Sequence, residues 1–161
     1  MIEAVILGGG NCGDTRAILD RAEQLMAQRA GEVISRSEWH TTEPWGFECN
    51  DSFTNRAYTL RTALSAEELI EVLLSIEAEL GRNRRLEYHT KVLGGQEYAA
   101  RVIDLDILLF GKEVVVTPHL QIPHPLLLKR DFALAPMSQA MGITVEEGVE
   151  LVKNIILNDE I

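Results

Sequence analysis

Hydrophobic spacing divides the chain into alternating short apolar runs and longer stripes. Ile2 to Leu7 (IEAVIL) is an apolar run that predicts a first strand, and Gly8-Gly9-Gly10-Asn11-Cys12-Gly13 after it reads as a tight loop. The period then lengthens to that of a helix. Ile18, Ala22, Leu25, Met26 and Arg29 fall on one stripe, Asp14 or Thr15 is placed to cap it, and Gly31 stops it. Glu32 to Thr41 and Phe53 to Thr62 predict a second and a third strand, with a loop and no helix between them, so the two are expected as antiparallel neighbours. Ser65-Ala66-Glu67-Glu68 is a capping box, and Leu69, Val72, Leu73, Ile76 and Leu80 form the buried stripe of a second helix that ends at Gly81.

From Arg82 to Ala100 no period is visible, and a segment of that length without one reads as a lid or binding loop. Arg101-Val102-Ile103-Asp104-Leu105-Asp106-Ile107-Leu108-Leu109-Phe110 is an interior strand interrupted by two carboxylates, and Gly111-Lys112 is a turn into Glu113 to Thr117. Leu126 to Ala135 holds one or two helical turns, and Thr144-x-x-Glu147 caps a last helix to about Leu157. The order β-α-β-β-α-β predicts an α+β fold of ferredoxin-like type: a mostly antiparallel sheet, helices on one face, and an extra C-terminal hairpin and helix. With 161 residues and no low-complexity linker, the chain is expected to be a single domain, 1–161.

Composition narrows the partners. Asp plus Glu number 25 against 15 Lys plus Arg, a formal charge of −10, which argues against nucleic acid as a partner. Arg82, Arg84, Arg85, Lys91 and Arg101 nevertheless crowd one short window, which suits a small polyanion. No apolar run approaches the ~18 residues of a membrane span. Two cysteines, Cys12 and Cys49, form neither a disulfide framework nor a metal quartet, and a cytoplasmic address is expected.

Strand alternation puts Asp104 and Asp106 on one face, about 7 Å apart, with Val102, Leu108 and Phe110 as expected neighbours. Two carboxylates on an apolar strand require a counter-charge, either a divalent cation such as Mg²⁺ or pairing with Arg82, Arg84 or Arg101. Phe53 and Asn55 share a face of the third strand and, with Trp45 and Phe132, offer a slot for a flat heterocycle whose edge an amide can read. Core packing is the competing reading for those aromatics. Gly8-x-Gly10-x-x-Gly13 also satisfies a dinucleotide fingerprint, but that site needs a parallel βαβ unit that the third strand interrupts. Pro123-His124-Pro125 and Lys129-Arg130 place a histidine and a basic pair shortly after the acidic strand.

Taken together, Gly9-Gly10-Asn11, Thr42-Glu43-Pro44-Trp45-Gly46, Phe53-x-Asn55, Glu77 with Gly81-Arg82-x-Arg84, Arg101-x-Ile103-Asp104-Leu105-Asp106-Ile107, and Pro123-His124 with Arg130-x-Phe132 resemble the ordered motifs of the 6-hydroxymethyl-7,8-dihydropterin pyrophosphokinase family. The resemblance spans about residues 2 to 137. It implies transfer of pyrophosphate from ATP to the pterin alcohol, giving AMP, in folate biosynthesis. It also implies two Mg²⁺ ions on Asp104 and Asp106, and catalytic roles for Arg82, Arg101, Asp104 and Asp106. The pterin would meet Thr42, Pro44, Trp45, Gly46, Phe53, Asn55 and Phe132; ATP would meet Glu77, Arg84, Arg85, Tyr98, Arg101, Ile107, His124 and Arg130. The partners implied are these two small molecules, with the protein acting as a monomer. The chain departs from the family pattern at Gly10, Glu97 and Pro125 and in a longer 86–97 segment. These departures define the alternative, a pterin or nucleotide binder whose altered lid no longer supports turnover.

Overall fold

The computed structural model describes residues 1–11, 13–42, 53–82, 102–128 and 131–159. Strand β1 (Ile2–Gly10) is followed by α1 (Thr15–Arg29), β2 (Glu32–Arg36), β3 (His40–Thr42), β4 (Phe53–Thr62), α2 (Ala66–Glu79) and β5 (Asp104–Phe110). A ribbon of β6 (Val115–Val116) and β7 (Gln121–Ile122), a 3-10 turn at Pro125–Leu128, then α3 (Asp131–Met141) and α4 (Val145–Asp159) complete the order. The sheet runs β2-β4-β1-β5, β3 also pairs with β4, and every pairing is antiparallel. This is the ferredoxin-like arrangement that the element order implied.

α1, α2 and α4 begin where a short polar side chain holds a free first-turn N–H group. Asp14 accepts from the Ala17 N–H at 3.2 Å. Ser65 and Glu68 form a reciprocal capping box at α2, and Thr144 and Glu147 form another at α4. Gly81, at φ +109°, lets the chain turn sharply out of α2.

Four departures from the sequence reading have physical causes. Gly8 to Gly10 are not a loop but the end of β1, paired with Arg56, Asn55 and Thr54 on β4. With β1 antiparallel to both neighbours, the parallel unit required for a dinucleotide site is not there. The single second strand is broken in two at Ser37 to Trp39. There the Ser37 N–H still donates to the Ala57 carbonyl at 2.9 Å, but the return bond is lost to side chains: the Ala57 N–H donates to the Ser37 hydroxyl at 2.9 Å, and the Ser37 carbonyl accepts from Arg56 Nε at 2.7 Å. The residues after Gly111 do not run back along β5; Val115–Val116 pairs instead with Gln121–Ile122.

Helices, finally, cover both faces of the sheet. On one face Ala4, Ile6, Tyr58, Leu60, Leu105 and Ile107 pack with Leu19 and Leu25 of α1 and Leu69, Leu73 and Ile76 of α2. On the other, Val5, Leu7, Ala57, Leu108 and Leu109 pack with Ala133, Leu134 and Met137 of α3 and Val152 and Ile155 of α4. Ala4 to Leu7 are all buried, as a central strand covered on both sides must be. A β-bulge between β1 and β5 pairs Val5 with Leu109 but Ile6 with Ile107. Leu108 and Leu109 therefore both enter the second core, and Phe110 is turned into the first, away from the aspartates.

Candidate active site

Cross-strand register builds the site. Asp104 of β5 lies opposite Gly9 of β1, Gly9 opposite Asn55 of β4, and Asn55 opposite His40 of β3. Directly opposed residues on antiparallel strands present their side chains to the same face, here the face covered by α3 and α4. Asp106, opposite Leu7, is one step further along that face. Because Gly9 carries no side chain, the Asn55 amide lies over it, and the Asp104 and Asn55 backbones are about 10 Å apart at two strand spacings. A Cβ at position 9 would collide with the Asn55 Oδ1. Phe53 shares this face two residues before Asn55, and Phe132, in the first turn of α3, packs on the second core.

The C-terminal end of α2 supplies the charge that the aspartates need. Glu77, on its last turn, is buried with its side chain 2% exposed, and its Oε2 accepts from the Leu105 N–H at 2.7 Å. Arg82 follows five residues later, also buried, and its Nη1 bridges Glu77 Oε2 at 3.4 Å, the Ile103 carbonyl at 3.3 Å and Asp104 Oδ1 at 2.9 Å. A guanidinium withdrawn from water tolerates burial only with such partners, and the two carboxylates provide them. The pair expected to need a counter-charge thus has Arg82 at Asp104.

His124 approaches Asp106 from the other side of β5. Its backbone N–H donates to the Leu108 carbonyl at 2.9 Å, and its Nε2 lies 3.9 Å from Asp106 Oδ1. Nδ1 accepts from the Leu126 N–H at 3.2 Å, so a neutral His124 carries its proton on Nε2, toward the carboxylate. Burial lowers its pKa from the ordinary value, with the charge of Asp104 acting in the opposite direction.

Of the residues singled out from sequence, Phe53, Asn55, Phe132, Asp104, Asp106, Arg82, Glu77 and His124 are brought to this end of the sheet. Ile107 is not: strand alternation turns its side chain into the opposite core, where it is 2% exposed. Thr42 is present as the last residue of β3. Pro44, Trp45, Gly46, Arg84, Arg85, Tyr98, Arg101 and Arg130, and the lid expected beyond Arg82, lie outside the described residues. Two contributions were missed from sequence. One is Gly9 as the floor beneath Asn55, although a glycine run in an apolar strand signals a close approach. The other is His40, which extends the Asp104–Gly9–Asn55 row.

Among the described residues no group of three or more His, Cys, Asp or Glu side chains is arranged to hold a metal ion. The carboxylate pair still fits Mg²⁺, which is commonly held by one or two carboxylates with phosphate oxygens and water filling the remaining positions. No helix among the described residues is long and apolar enough to cross a membrane.

Fold and site define a ferredoxin-like α+β protein that sets two carboxylates, a buried arginine and a histidine at the end of the sheet that also carries an amide and aromatic side chains. Residues 5–142 match the family model of 7,8-dihydro-6-hydroxymethylpterin-pyrophosphokinase, and the chain belongs to that family. It is 37% identical over 131 residues to the 2-amino-4-hydroxy-6-hydroxymethyldihydropteridine pyrophosphokinase of Porphyromonas gingivalis, covering 81% of this chain and 84% of that one. The enzyme of the same name from Bacillus subtilis is 36% identical over 137 residues, covering 84% of this chain and 76% of the relative. A folate synthesis bifunctional protein of Arabidopsis thaliana is 34% identical over 140 residues, 87% of this chain but 27% of that protein. Among solved structures, Plasmodium falciparum HPPK-DHPS superimposes with a TM-score of 0.67 at 14% identity, a likeness of fold, and the chain spans 44% of its length. Family membership makes the chain a pyrophosphokinase of folate synthesis.

Proposed function

We propose that the protein, acting as a monomer on two small molecules, transfers pyrophosphate from ATP to 6-hydroxymethyl-7,8-dihydropterin. The observation that carries this reading is the row Asp104–Gly9–Asn55. It puts a carboxylate, suited to phosphate and metal, and an amide, suited to a heterocycle edge, on one sheet face with their backbones about 10 Å apart and the Asn55 amide lying over Gly9. The pterin occupies the Asn55 end, its edge read by the amide and by Thr42 to Gly46, its faces covered by Phe53 and Phe132. Its hydroxymethyl arm reaches across Gly9 toward the aspartates.

ATP lies along β5, with its phosphates at Asp104 and Asp106. These two carboxylates hold Mg²⁺, which when bound neutralises phosphate charge and orients the transferred group. Arg82 is kept in place by Glu77 and adds fixed positive charge. Glu77 therefore serves the nucleotide through Arg82 and through the Leu105 backbone. His124 presents its Nε2–H to a phosphate oxygen. The Ile107 contribution to the nucleotide is made by its backbone, and Arg84, Arg85, Tyr98, Arg101 and Arg130 complete the nucleotide contacts.

In each turnover a bond forms between the pterin hydroxymethyl oxygen and the β-phosphorus. The bond from that phosphorus to the α–β bridging oxygen breaks, and AMP and a proton leave. Such a transfer depends mainly on positioning and charge, which fixed arginine, histidine and carboxylate groups supply without a covalent intermediate. The test is product analysis with ATP, Mg²⁺ and the pterin. AMP formed one for one with pterin consumed, and only when pterin is present, supports the reading. ADP instead of AMP, or pterin binding without any nucleotide product, sinks it and favours the γ-transferring or the purely binding alternative.

A further inference from the structure

Gln139 is an exposed residue on the last turn of α3, outside every motif above. Its Oε1 accepts from the Glu38 N–H at 2.8 Å and lies 3.0 Å from His40 Nε2. The Glu38 N–H is a donor, which fixes the amide with its oxygen here, and His40 must then carry a proton on Nε2 to meet the same atom. One oxygen thus gathers the residues on either side of Trp39, at the break between β2 and β3. The adjacent Ala140 carbonyl accepts from Ser35 Oγ at 2.6 Å and Thr59 Oγ1 at 3.3 Å, which fastens the helix to β2 and β4. The Gln139 bonds are directed instead at the start of β3.

β3 is three residues long. It begins opposite Asn55 and ends with Thr42 opposite Phe53, the two β4 residues assigned to the pterin. The other end of α3 carries Phe132, about 10 Å away at 1.5 Å per residue. Pro136 lies between them and cannot donate the helical hydrogen bond to the Phe132 carbonyl. The stiffness joining the two ends comes instead from Ala133, Leu134, Met137 and Ala140, all buried in the second core.

We infer that Gln139 is a positioning residue for the pterin slot: it ties β3, which flanks Asn55 and Phe53 on β4, to the helix that carries Phe132, and so sets the spacing that grips the ring. The inference rests on the pterin-binding reading above. A strand of three residues next to the β2–β3 break is the less supported of the two elements, so a single amide has leverage there.

The test measures the affinity of the full chain for 6-hydroxymethyl-7,8-dihydropterin and, separately, for α,β-methylene-ATP with Mg²⁺, in wild type, Gln139→Met, Gln139→Glu and Ser35→Ala. Methionine keeps the length and helical preference but accepts no bond, and pterin Kd should rise roughly fivefold, the worth of about one net hydrogen bond, with nucleotide affinity unchanged. Glutamate accepts from both donors and should restore wild-type pterin affinity. Ser35→Ala, which loosens the helix from β2, should lower Tm without changing pterin Kd. Wild-type pterin affinity in Gln139→Met, equal weakening of both ligands, or an equal pterin effect in Ser35→Ala would overturn the inference. A wild type that binds no pterin removes the slot and the inference with it. A wild type that binds pterin without making AMP overturns the proposed reaction alone, and the affinities still decide the role of Gln139.

Discussion

The two faces of the sheet are made from the same strands, yet they are built for different ends. On the face under α1 and α2, β1 presents Ala4 and Ile6, β4 presents Tyr58 and Leu60, and β5 presents Leu105 and Ile107, an unbroken apolar layer. On the face under α3 and α4 the same strands present Val5, Leu7 and Ala57, and then, one step along, Gly9, Asn55, Asp104 and Asp106. The first face ends in Arg56, stacked over Trp39 and facing Asp20 of α1; the second gives way to an amide and two carboxylates over a glycine floor. The period of two therefore lets a single strand such as β5 anchor the core with alternate residues and hold charge with the others. Stability and chemistry should accordingly respond to different substitutions.

The largest effect should come from Asp104→Ala, which removes both the carboxylate proposed to hold metal and phosphate and the 2.9 Å partner of buried Arg82. Turnover is expected to fall by at least about 10²-fold, with some loss of Tm as buried Arg82 loses one of its two carboxylate partners. An unchanged rate would mean that the pair is structural. On the opposite face, Leu73→Ala empties a fully buried position in the first core and should cost about 2–5 kcal/mol of stability by denaturant unfolding. The rate per folded molecule should stay near wild type, and a rate loss comparable to that of Asp104→Ala would erase the distinction between faces.

Gly9→Ala probes the floor itself. The added methyl must displace Asn55, so pterin affinity should fall roughly tenfold, alongside about 1–3 kcal/mol of stability. Equal pterin affinity in the variant would show that Asn55 does not read the ring. The smallest effect is shared by both faces. Glu68 at α2 and Glu147 at α4 have carboxyl pKa values held below the ordinary 4.5 by hydrogen bonds with Ser65 and Thr144. The unfolded chain binds these protons more readily, so the stabilisation is present above pH 4.5 and is lost as pH falls through the lower folded values. Ser65→Ala should cost about 1 kcal/mol near neutrality and flatten the acid limb of a Tm-against-pH profile. A profile parallel to wild type would remove the capping box as its source.

Much of this division was legible in the sequence because it rests on local periods. Ser65 to Glu68, the apolar stripe of α2 and the alternation Asp104-x-Asp106 each specify their element with no knowledge of neighbours. What was not legible depends on pairing. Leu108 and Leu109 enter the same core because of a bulge defined by β1, and no pattern within β5 reveals which residue is extra. The break at Ser37 depends on Ala57 and Arg56, twenty and nineteen positions away along the chain. Gly9 looked like turn chemistry because its actual requirement, the Asn55 side chain lying over it, comes from another strand. The cluster of Glu77, Arg82 and Asp104 was named residue by residue through the family resemblance, but its construction, α2 reaching the start of an edge strand, is a property of the sheet order.

The central claim is that chemistry resides on the α3/α4 face independently of what holds the fold together. It is tested most directly by measuring AMP formation and Tm side by side for Asp106→Asn, a change of the same size that removes charge from a side chain one-third exposed at 33%. The account predicts a turnover loss of at least about 10²-fold at a Tm within a few degrees of wild type. Normal Mg²⁺-dependent AMP formation, or a loss of activity matched by unfolding, would contradict it.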